Sequence, residues 1–410
     1  MLDDGNVSAI EKQGVRLTSG RIVARLRKAA ENAGPAAVCI YFLLCALPFE
    51  TDFALLVLAG ATILLAVFAR SRGMMRTSRL DLAIILFLSV QAITVYFSTD
   101  PQASLLLSAP LLPAILVYYI VSTQVRGVGS LRMICLAISV VALALAIAVL
   151  WTAWRSPWTS TYRWAAHLGS PMIVVPNDFT FHAVAMPLSA LFLGRKHGYA
   201  ERIVAGLSIA VSLAAITLLR SRISLLAAFV SLMLFSALKR PRLVIISAVS
   251  MLAIFVATDA VLGFALLGKF GHLVNDEGVT GRISLWSAAW AAFLESPWTG
   301  QGPHTFVFER VRWVHNLYLE ALAEQGIAGL LALVTLLGYG LWCAWKVHRL
   351  GSGGIDDLGG ATLAALAGFC FAALFELTFL RQWVPLILFT LLGMAARLLA
   401  LGRDSVRVPV

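Results

Sequence analysis

The residues best suited to chemistry lie in three short polar stretches that interrupt long apolar runs. The first stretch contains Ser221-Arg222, the second begins at Gly281-Arg282, and the third is His315-Asn316. A guanidinium group can donate two parallel hydrogen bonds to a phosphate group, and an imidazole can take a proton from a hydroxyl group. These residue types therefore suit transfer chemistry on a phosphate-bearing substrate.

Arg220 and Arg222 flank a serine where two apolar runs are almost continuous, so the turn must lie at a membrane face. Guanidinium groups at that depth are costly unless they are paired or reach a headgroup. The predicted topology puts this turn on the external side, where the usual cytoplasmic bias of cations does not explain it. We predict that Arg222, with Arg220 as the second candidate, binds a phosphate or diphosphate. The alternative is a pair of interfacial arginines whose charges reach water.

An amphipathic helix lying along the membrane interface is predicted to begin at Gly281-Arg282 and to stop at Ser296-Pro297. Arg282 would then lie at the helix N-terminus, which itself attracts anions, so it is the next predicted phosphate ligand. The following Gly300-Gln301-Gly302-Pro303 is predicted to be a turn, and it lacks the strand, helix and lysine of a phosphate-binding loop. The apolar stripe of the helix consists of Ile283, Trp286, Trp290, Phe293 and Leu294.

His315 opens an apolar run at the external face, where a histidine is more commonly a helix cap or a buried residue. A helix N-terminus favours the neutral imidazole, which can accept a proton, so His315 is the candidate catalytic residue. Glu320 and Glu324 follow closely, and Asn316 and Glu320 are predicted as supporting or acceptor contacts. The sequence has no HExxH, DxD or paired-carboxylate spacing, so neither a metal nor a cofactor is predicted.

A smaller external loop at 152–178 contributes further candidates. Arg163 is predicted as another diphosphate ligand, whereas Asn177 and Asp178 either cap the next helix or contact substrate. His182 is expected to be a satisfied interior histidine. Arg381, at the turn between the last two apolar runs, has no predicted role.

The rest of the chain consists of apolar runs. Of 410 residues, 60% are hydrophobic and 13% are charged, and the mean hydropathy is +0.86. A soluble chain could not cover itself with polar surface at this composition, so an all-α polytopic membrane protein is predicted. About twelve spans are predicted, near 35–49, 52–69, 80–98, 104–124, 131–151, 179–194, 203–219, 222–238, 243–266, 316–345, 359–380 and 382–401.

The basic balance of the chain, net +11, fits membrane topology better than nucleic-acid binding, because the cations form short clusters between apolar runs. With the N-terminus inside, 23 of the 32 Lys and Arg residues are cytoplasmic, so both termini are predicted to be cytoplasmic. The five cysteines lie in apolar runs without CxxC spacing, and no disulfide is predicted. The predicted organisation is a tail at 1–34, spans one to nine at 35–266, a large external loop with short interfacial helices at 267–315, spans ten to twelve at 316–401 and a tail at 402–410.

Taken in order along the chain, these motifs resemble those of a known superfamily. HNLYLEALAEQGIAGLL is similar to the His-Asn-x-x-Leu signature, with its later glycine, of the O-antigen ligase and O-antigen polymerase superfamily, which includes bacterial O-oligosaccharyltransferases. Ser221-Arg222 resembles its Ser-Arg motif, although Ile223 replaces a small residue. GRISLWSAAWAAFLESPWTGQG resembles its Gly-Arg to Gly-x-Gly loop. The likeness spans residues 160–330.

The resemblance implies a GT-C-like glycosyltransferase of the bacterial inner membrane with a periplasmic active site. It implies a metal-independent, inverting transfer of a glycan from undecaprenyl diphosphate to lipid A-core, by a protein that is expected to be a monomer. His315 matches the essential histidine of the family, and Arg222 and Arg282 match the arginines that hold the diphosphate. Besides donor and acceptor, only membrane lipids are expected as partners.

Within the superfamily, the single large external loop and the short segment after the last span favour an O-antigen ligase. A polymerase or an O-oligosaccharyltransferase would share the donor, but the latter usually has a long soluble C-terminal extension. A polyprenyl-lipid transporter is the non-enzymatic alternative. It should carry charges near the bilayer midplane and internal repeats, whereas the charges here gather at one face.

Overall fold

The computed structural model describes residues 33–46, 64, 79–155, 170, 172–261, 263, 277–350 and 354–407. These residues form helices joined by turns and loops, with two isolated β-bridges, so the prediction of an all-α polytopic membrane protein is confirmed. The predicted span at 52–69, most of the predicted N-terminal tail, and Arg163 lie outside the described residues. The predicted sidedness and domain limits stay predictions.

Thirteen helices are described and are numbered here in chain order. They are α1 (Ala33–Ala46), α2 (Arg79–Tyr96), α3 (Pro101–Ser108), α4 (Leu111–Gln124), α5 (Val128–Arg155), α6 (Thr180–Ala190), α7 (Tyr199–Leu218), α8 (Arg222–Lys239), α9 (Pro241–Val261), α10 (Glu277–Glu295), α11 (Leu317–Arg349), α12 (Ile355–Ala373) and α13 (Trp383–Arg407).

Eight helical stretches of the described chain are long and apolar enough to cross a membrane: α3 and α4 together, α5, α7, α8, α9, α11, α12 and α13. Helices α1 and α2 are apolar but shorter. Helix α6, at the sixth predicted span, has only 11 residues, contains Pro187 and is flanked by 3₁₀ turns. At about 1.5 Å per residue it is too short to span the bilayer alone, so the count of twelve spans stays a prediction.

Helix α6 lies at the centre of the bundle, and its residues from Thr180 to Ser189 are all buried. It packs against α5, α7, α8 and α12. Small hydroxyl side chains join these helices: Ser231 of α8 donates to the carbonyl oxygen of Ala183 at 2.8 Å, and Ser189 donates to Ser139 at 2.9 Å. Small residues let helices approach closely within a membrane. At the N-terminal ends of α6 and α8, the hydroxyl oxygens of Thr180 and Ser224 lie 3.0 Å apart, so a hydrogen bond joins these two ends as well.

Helix α11 is broken at Gly326, which has φ 65° and ψ −165° inside an otherwise helical segment. The carbonyl oxygens of Ala323 and Glu324 accept hydrogen bonds from the backbone N–H groups of Gln301 and Gly302, at 3.1 and 2.8 Å. A Cβ atom at Gly326 would lie 2.4 Å from the carbonyl carbon of Trp298. The turn predicted at Gly300–Pro303 is thus docked onto the break, and only glycine fits there.

Helix α10 begins at Glu277, not at Gly281 as predicted, because helical hydrogen bonding continues through the upstream residues and glycine is only mildly unfavourable in a helix. Arg282 therefore lies in the second turn, and the prediction that it sits at a helix N-terminus is wrong. The helix ends at Glu295, as expected before Ser296-Pro297. Its inner face packs on α11, whereas Ile283, Trp290 and Leu294 are at least half exposed, which suits a helix at the membrane interface.

Candidate active site

The three polar stretches meet at one cavity of about 470 Å³, called here the His315 cavity. Its wall combines the end of the loop before α6, the turn between α7 and α8, the second turn of α10 and the segment before α11. The lining residues are Asn177, Arg220, Arg222, Ile223, Gly281, Arg282, Ser284, Leu285, Phe308, Glu309, Val311 and His315.

The Ser-Arg turn places Arg222 at the first residue of α8. Arg220 has φ 54°, a left-handed conformation that reverses the chain after α7. The Ser221 side chain caps α8 by accepting from the backbone N–H of Ser224 at 3.4 Å, and it donates to Oδ1 of Asn177 at 2.9 Å. Ser221 therefore fixes the turn, and both arginines face the cavity.

Glu376, which follows α12, joins the other two predicted residues. One carboxylate oxygen accepts a hydrogen bond from the Arg282 guanidinium at 2.7 Å, and the other lies 3.0 Å from Nδ1 of His315. The Glu376 side chain is 7% exposed, so these charge-assisted contacts are shielded from water. A single buried carboxylate thus sets the position of a guanidinium and an imidazole side by side.

The hydrogen bonds of His315 define its tautomer. Trp313 Nε1 lies 2.8 Å from Nε2 of His315, and an indole N–H can only donate. Nε2 must therefore accept, which leaves the ring proton on Nδ1, directed at Glu376. His315 has φ 56°, so its backbone is held in a left-handed conformation beside these contacts. The imidazole is neutral in this arrangement, with the nitrogen that can take a proton facing away from Glu376.

Arg381 connects Trp313, the indole that contacts the imidazole, to Asp178. The Arg381 guanidinium lies 4.8 Å from the centre of the Trp313 ring, and its Nε is 3.7 Å from Oδ1 of Asp178. Asp178 also accepts from the Trp383 indole at 3.0 Å and from two backbone N–H groups before α6. Burial raises the pKa of the Asp178 carboxyl, and the Arg381 charge opposes that rise. Of the two roles predicted for Asp178, the contacts match the capping role.

This geometry coincides with a match to a known family. Residues 207–334 match the family model described as O-antigen ligase. The matched segment, called here the O-antigen ligase segment, is similar to that family. The family comprises glycosyltransferase-like ligases and polymerases, and the resemblance seen in the motifs is confirmed at this level. No curated protein matches the chain.

The O-antigen ligase segment contains four of the predicted site residues at the cavity: Arg220, Arg222, Arg282 and His315. Asn177, from the loop before α6, is the fifth predicted residue that lines it. Glu376 lies beyond the segment and is not among the residues that the sequence predicts for the site. One signal for it exists: it is the single acidic residue between Asp357 and Asp404, at the end of an apolar run.

Two other predicted residues of the O-antigen ligase segment, Asn316 and Glu320, do not line the cavity. They make structural hydrogen bonds at the start of α11. Asn316 caps the helix, since its Oδ1 accepts from the backbone N–H groups of Tyr318 and Leu319, both at 3.0 Å. Glu320 is buried and accepts from Thr378 Oγ1 at 2.6 Å. The carboxylate that meets His315 is therefore Glu376.

The charged groups around the His315 cavity have a small excess of positive charge. Three guanidinium groups line it, against the carboxylates of Glu309 in the wall and Glu376 behind it. Among the described residues, His, Cys, Asp and Glu form no group of three or more placed to hold a metal ion. The arrangement can attract a polyanion, hold it by bidentate hydrogen bonds and present a neutral imidazole next to it.

Proposed function

We propose that the chain is an O-antigen ligase of lipopolysaccharide biosynthesis. It transfers an O-antigen polysaccharide from undecaprenyl diphosphate to a sugar of lipid A-core, on the periplasmic face of the bacterial inner membrane. One observation carries the proposal: Arg222 and Arg282 line the same cavity as His315, and His315 is paired with the buried Glu376.

The arginines act on the leaving group. As the bond between the anomeric carbon and the diphosphate oxygen breaks, negative charge grows on the diphosphate. Guanidinium groups already in place, above all those of Arg222 and Arg282, stabilise that charge without reorganising. They supply the positive charge that a divalent cation supplies in other phosphate-handling enzymes, so the transfer is proposed to be metal-independent.

His315 acts on the acceptor. A sugar hydroxyl attacks the anomeric carbon from the face opposite the diphosphate, which inverts the configuration, and its proton passes to Nε2 of His315. The imidazolium that forms is stabilised by Glu376 through the Nδ1–H hydrogen bond. The acceptor hydroxyl must first replace the Trp313 N–H at Nε2. The products are the glycosylated core and undecaprenyl diphosphate.

The setting of the cavity supports lipid-borne substrates. Ser284 and Leu285 of α10 line the cavity, and the same helix exposes Ile283 and Trp290, which suits contact with the membrane interface. The excess of Lys and Arg in the loops predicted to be cytoplasmic supports the periplasmic orientation. The donor lipid would then reach the arginines from the membrane side.

The proposal is tested in a ligase-deficient strain that expresses wild-type protein or His315→Ala. Lipopolysaccharide is resolved on a gel, and lipid-linked glycan is assayed alongside. We expect a long-chain ladder on lipid A-core with the wild type, and bare core with accumulated lipid-linked polymer in the variant. Bare core with lengthened lipid-linked chains in the wild type would instead identify a polymerase. Unchanged lipid-linked glycan and bare core in the wild type would favour a transporter.

A further inference from the structure

A second cavity lies at the opposite end of α8 from the His315 cavity. It has a volume of about 770 Å³ and is called here the basic cavity. Arg222 at the first residue of α8 lines the His315 cavity, and Lys239 at its last residue lines the basic cavity. At 1.5 Å per residue the two are separated by about 25 Å, which is close to the thickness of a bilayer core.

The walls of the basic cavity are mostly apolar. They come from the end of α6 and from the facing sides of α7, α8 and α9, and they include Leu213, Leu232, Phe235, Ile246 and Ile254. Among the described residues, α9 makes its main contacts with α7 and α8, and of its own residues only Met251 and Asp259 are fully buried. The cavity is therefore bounded on one side by a peripheral helix, where an acyl chain can enter from the bilayer.

The mouth of the basic cavity carries four cations: Arg195 and Lys196 after α6, and Lys239 and Arg240 at the end of α8. Lys196 and Lys239 both pair with the carboxylate of Asp357. Arg195 and Arg240 are exposed. The mouth thus has an excess of positive charge directly above an apolar space. Phosphate headgroups with acyl chains have the complementary distribution of charge and apolar surface.

We infer that the basic cavity binds a membrane phospholipid with an anionic headgroup. Its acyl chains lie between α7, α8 and α9, and its phosphate is held by Arg195 and Arg240. A zwitterionic phospholipid would fill the same apolar space, but its own positive group would oppose the four cations at the mouth. The site is about one bilayer core away from the His315 cavity, and its occupation does not depend on the transfer reaction.

The test measures lipid binding to the purified full-length protein by native mass spectrometry. Dioleoyl phosphatidylglycerol and dioleoyl phosphatidylcholine are added separately to delipidated protein, because they share acyl chains and differ in headgroup charge. We expect the wild type to bind phosphatidylglycerol at least about tenfold more tightly. Arg195→Gln with Arg240→Gln should reduce that preference to about threefold or less, since each cation near a headgroup contributes roughly a factor of five.

The matched control is Lys346→Gln with Arg349→Gln, two cations at the end of α11 that lie at the same end of the bundle but do not line the basic cavity. This variant should keep the wild-type preference. Ser250→Phe, which fills the apolar space, should weaken binding of both lipids. Equal binding of the two lipids by the wild type, or an equal loss in the control variant, would overturn the inference. So would a preference that survives Arg195→Gln with Arg240→Gln.

Discussion

The same arrangement of charged side chains occurs near both ends of α8, but the two arrangements differ in whether they can exchange a proton. At each end one carboxylate joins two basic side chains: Glu376 joins Arg282 and His315, and Asp357 joins Lys196 and Lys239. The difference lies in the second partner. Lysine stays charged near neutral pH, so Asp357 only fixes positive charge in place, whereas histidine can gain and lose a proton.

The residues that line the two cavities also differ between the two ends of α8. The His315 cavity is small and lined by arginines and polar groups, so it suits a charged reacting centre. The basic cavity is larger and mostly apolar below its charged mouth. Positive charge alone therefore does not distinguish the proposed catalytic end of the bundle from the other end. The combination of guanidinium groups with a titratable side chain held by a carboxylate does.

The largest expected effect on the transfer rate comes from replacing His315, and the comparison is with His348 at the opposite end of the bundle. His315→Ala removes the proton acceptor and should lower the transfer rate by about 10³-fold. His348→Gln, at the far end of α11 where the ring contacts a backbone carbonyl of α12, should change it less than about twofold. Transfer of labelled lipid-linked glycan to purified core measures both. Equal rates for His315→Ala and the wild type would remove the catalytic difference between the ends.

Replacing one of the proposed diphosphate ligands should have the second-largest effect on the transfer rate. Arg222→Ala and Arg282→Ala should each lower the rate of transfer by about 10²-fold or more, because a preorganised donor to the leaving group is lost. Lysine at either position should restore little, since it lacks the planar fork. The control is Arg349→Gln at the far end. Normal turnover in Arg222→Ala or Arg282→Ala, with correct membrane insertion, would contradict the diphosphate role.

Glu376→Gln should have a smaller effect that is specific to turnover. The amide can still accept a hydrogen bond but no longer stabilises an imidazolium, so kcat should fall by about 10- to 100-fold. KM for the donor should change little if Arg282 stays in place. Glu201→Gln, which alters a capping carboxylate at the far end of α7, is the control and should leave kcat unchanged. A rise in KM with kcat unchanged would mean that Glu376 only positions Arg282.

The smallest expected effect concerns stability at the break in α11. Gly326→Ala forces a side chain into a glycine-only conformation against the Trp298 backbone, so it should cost on the order of 3 kcal/mol and lower the unfolding temperature of the purified protein. Gly338→Ala, on the same helix, meets no atom within 4 Å and should be neutral or slightly stabilising. Equal unfolding temperatures for the two variants would mean that the docked turn at Gly300–Pro303 is dispensable.

The site residues that sequence reasoning found were those out of place in an apolar chain. Arg222, Arg282 and His315 stand out because charge and polarity are rare there, and all three line one cavity. Glu376 has the same character, but its role depends on a contact with a residue 61 positions away. A local pattern does not encode such a contact.

Among the helices, too, some features follow from the local sequence and others depend on tertiary contacts. Long apolar runs such as α5 and α11 were predictable because composition and length alone identify them. Helix α6 was predicted as a span because burial inside protein and burial in lipid select the same apolar residues. The break at Gly326 and the early start of α10 depend on tertiary hydrogen bonding and packing, which override local propensity.

The position of Glu376 has a consequence for the order in which the proposed site is assembled during synthesis. Arg222, Arg282 and His315 leave the ribosome first, but the carboxylate that joins two of them follows α12 and is among the last parts of the site to be made. The backbone N–H groups of Gln301 and Gly302 likewise can form their hydrogen bonds only after the acceptor carbonyl groups of α11 have been synthesised. A nascent chain that has inserted its helices up to α11 would thus still lack the contact between His315 and Glu376, and the proposed site would be complete only after α12 and Glu376 have followed.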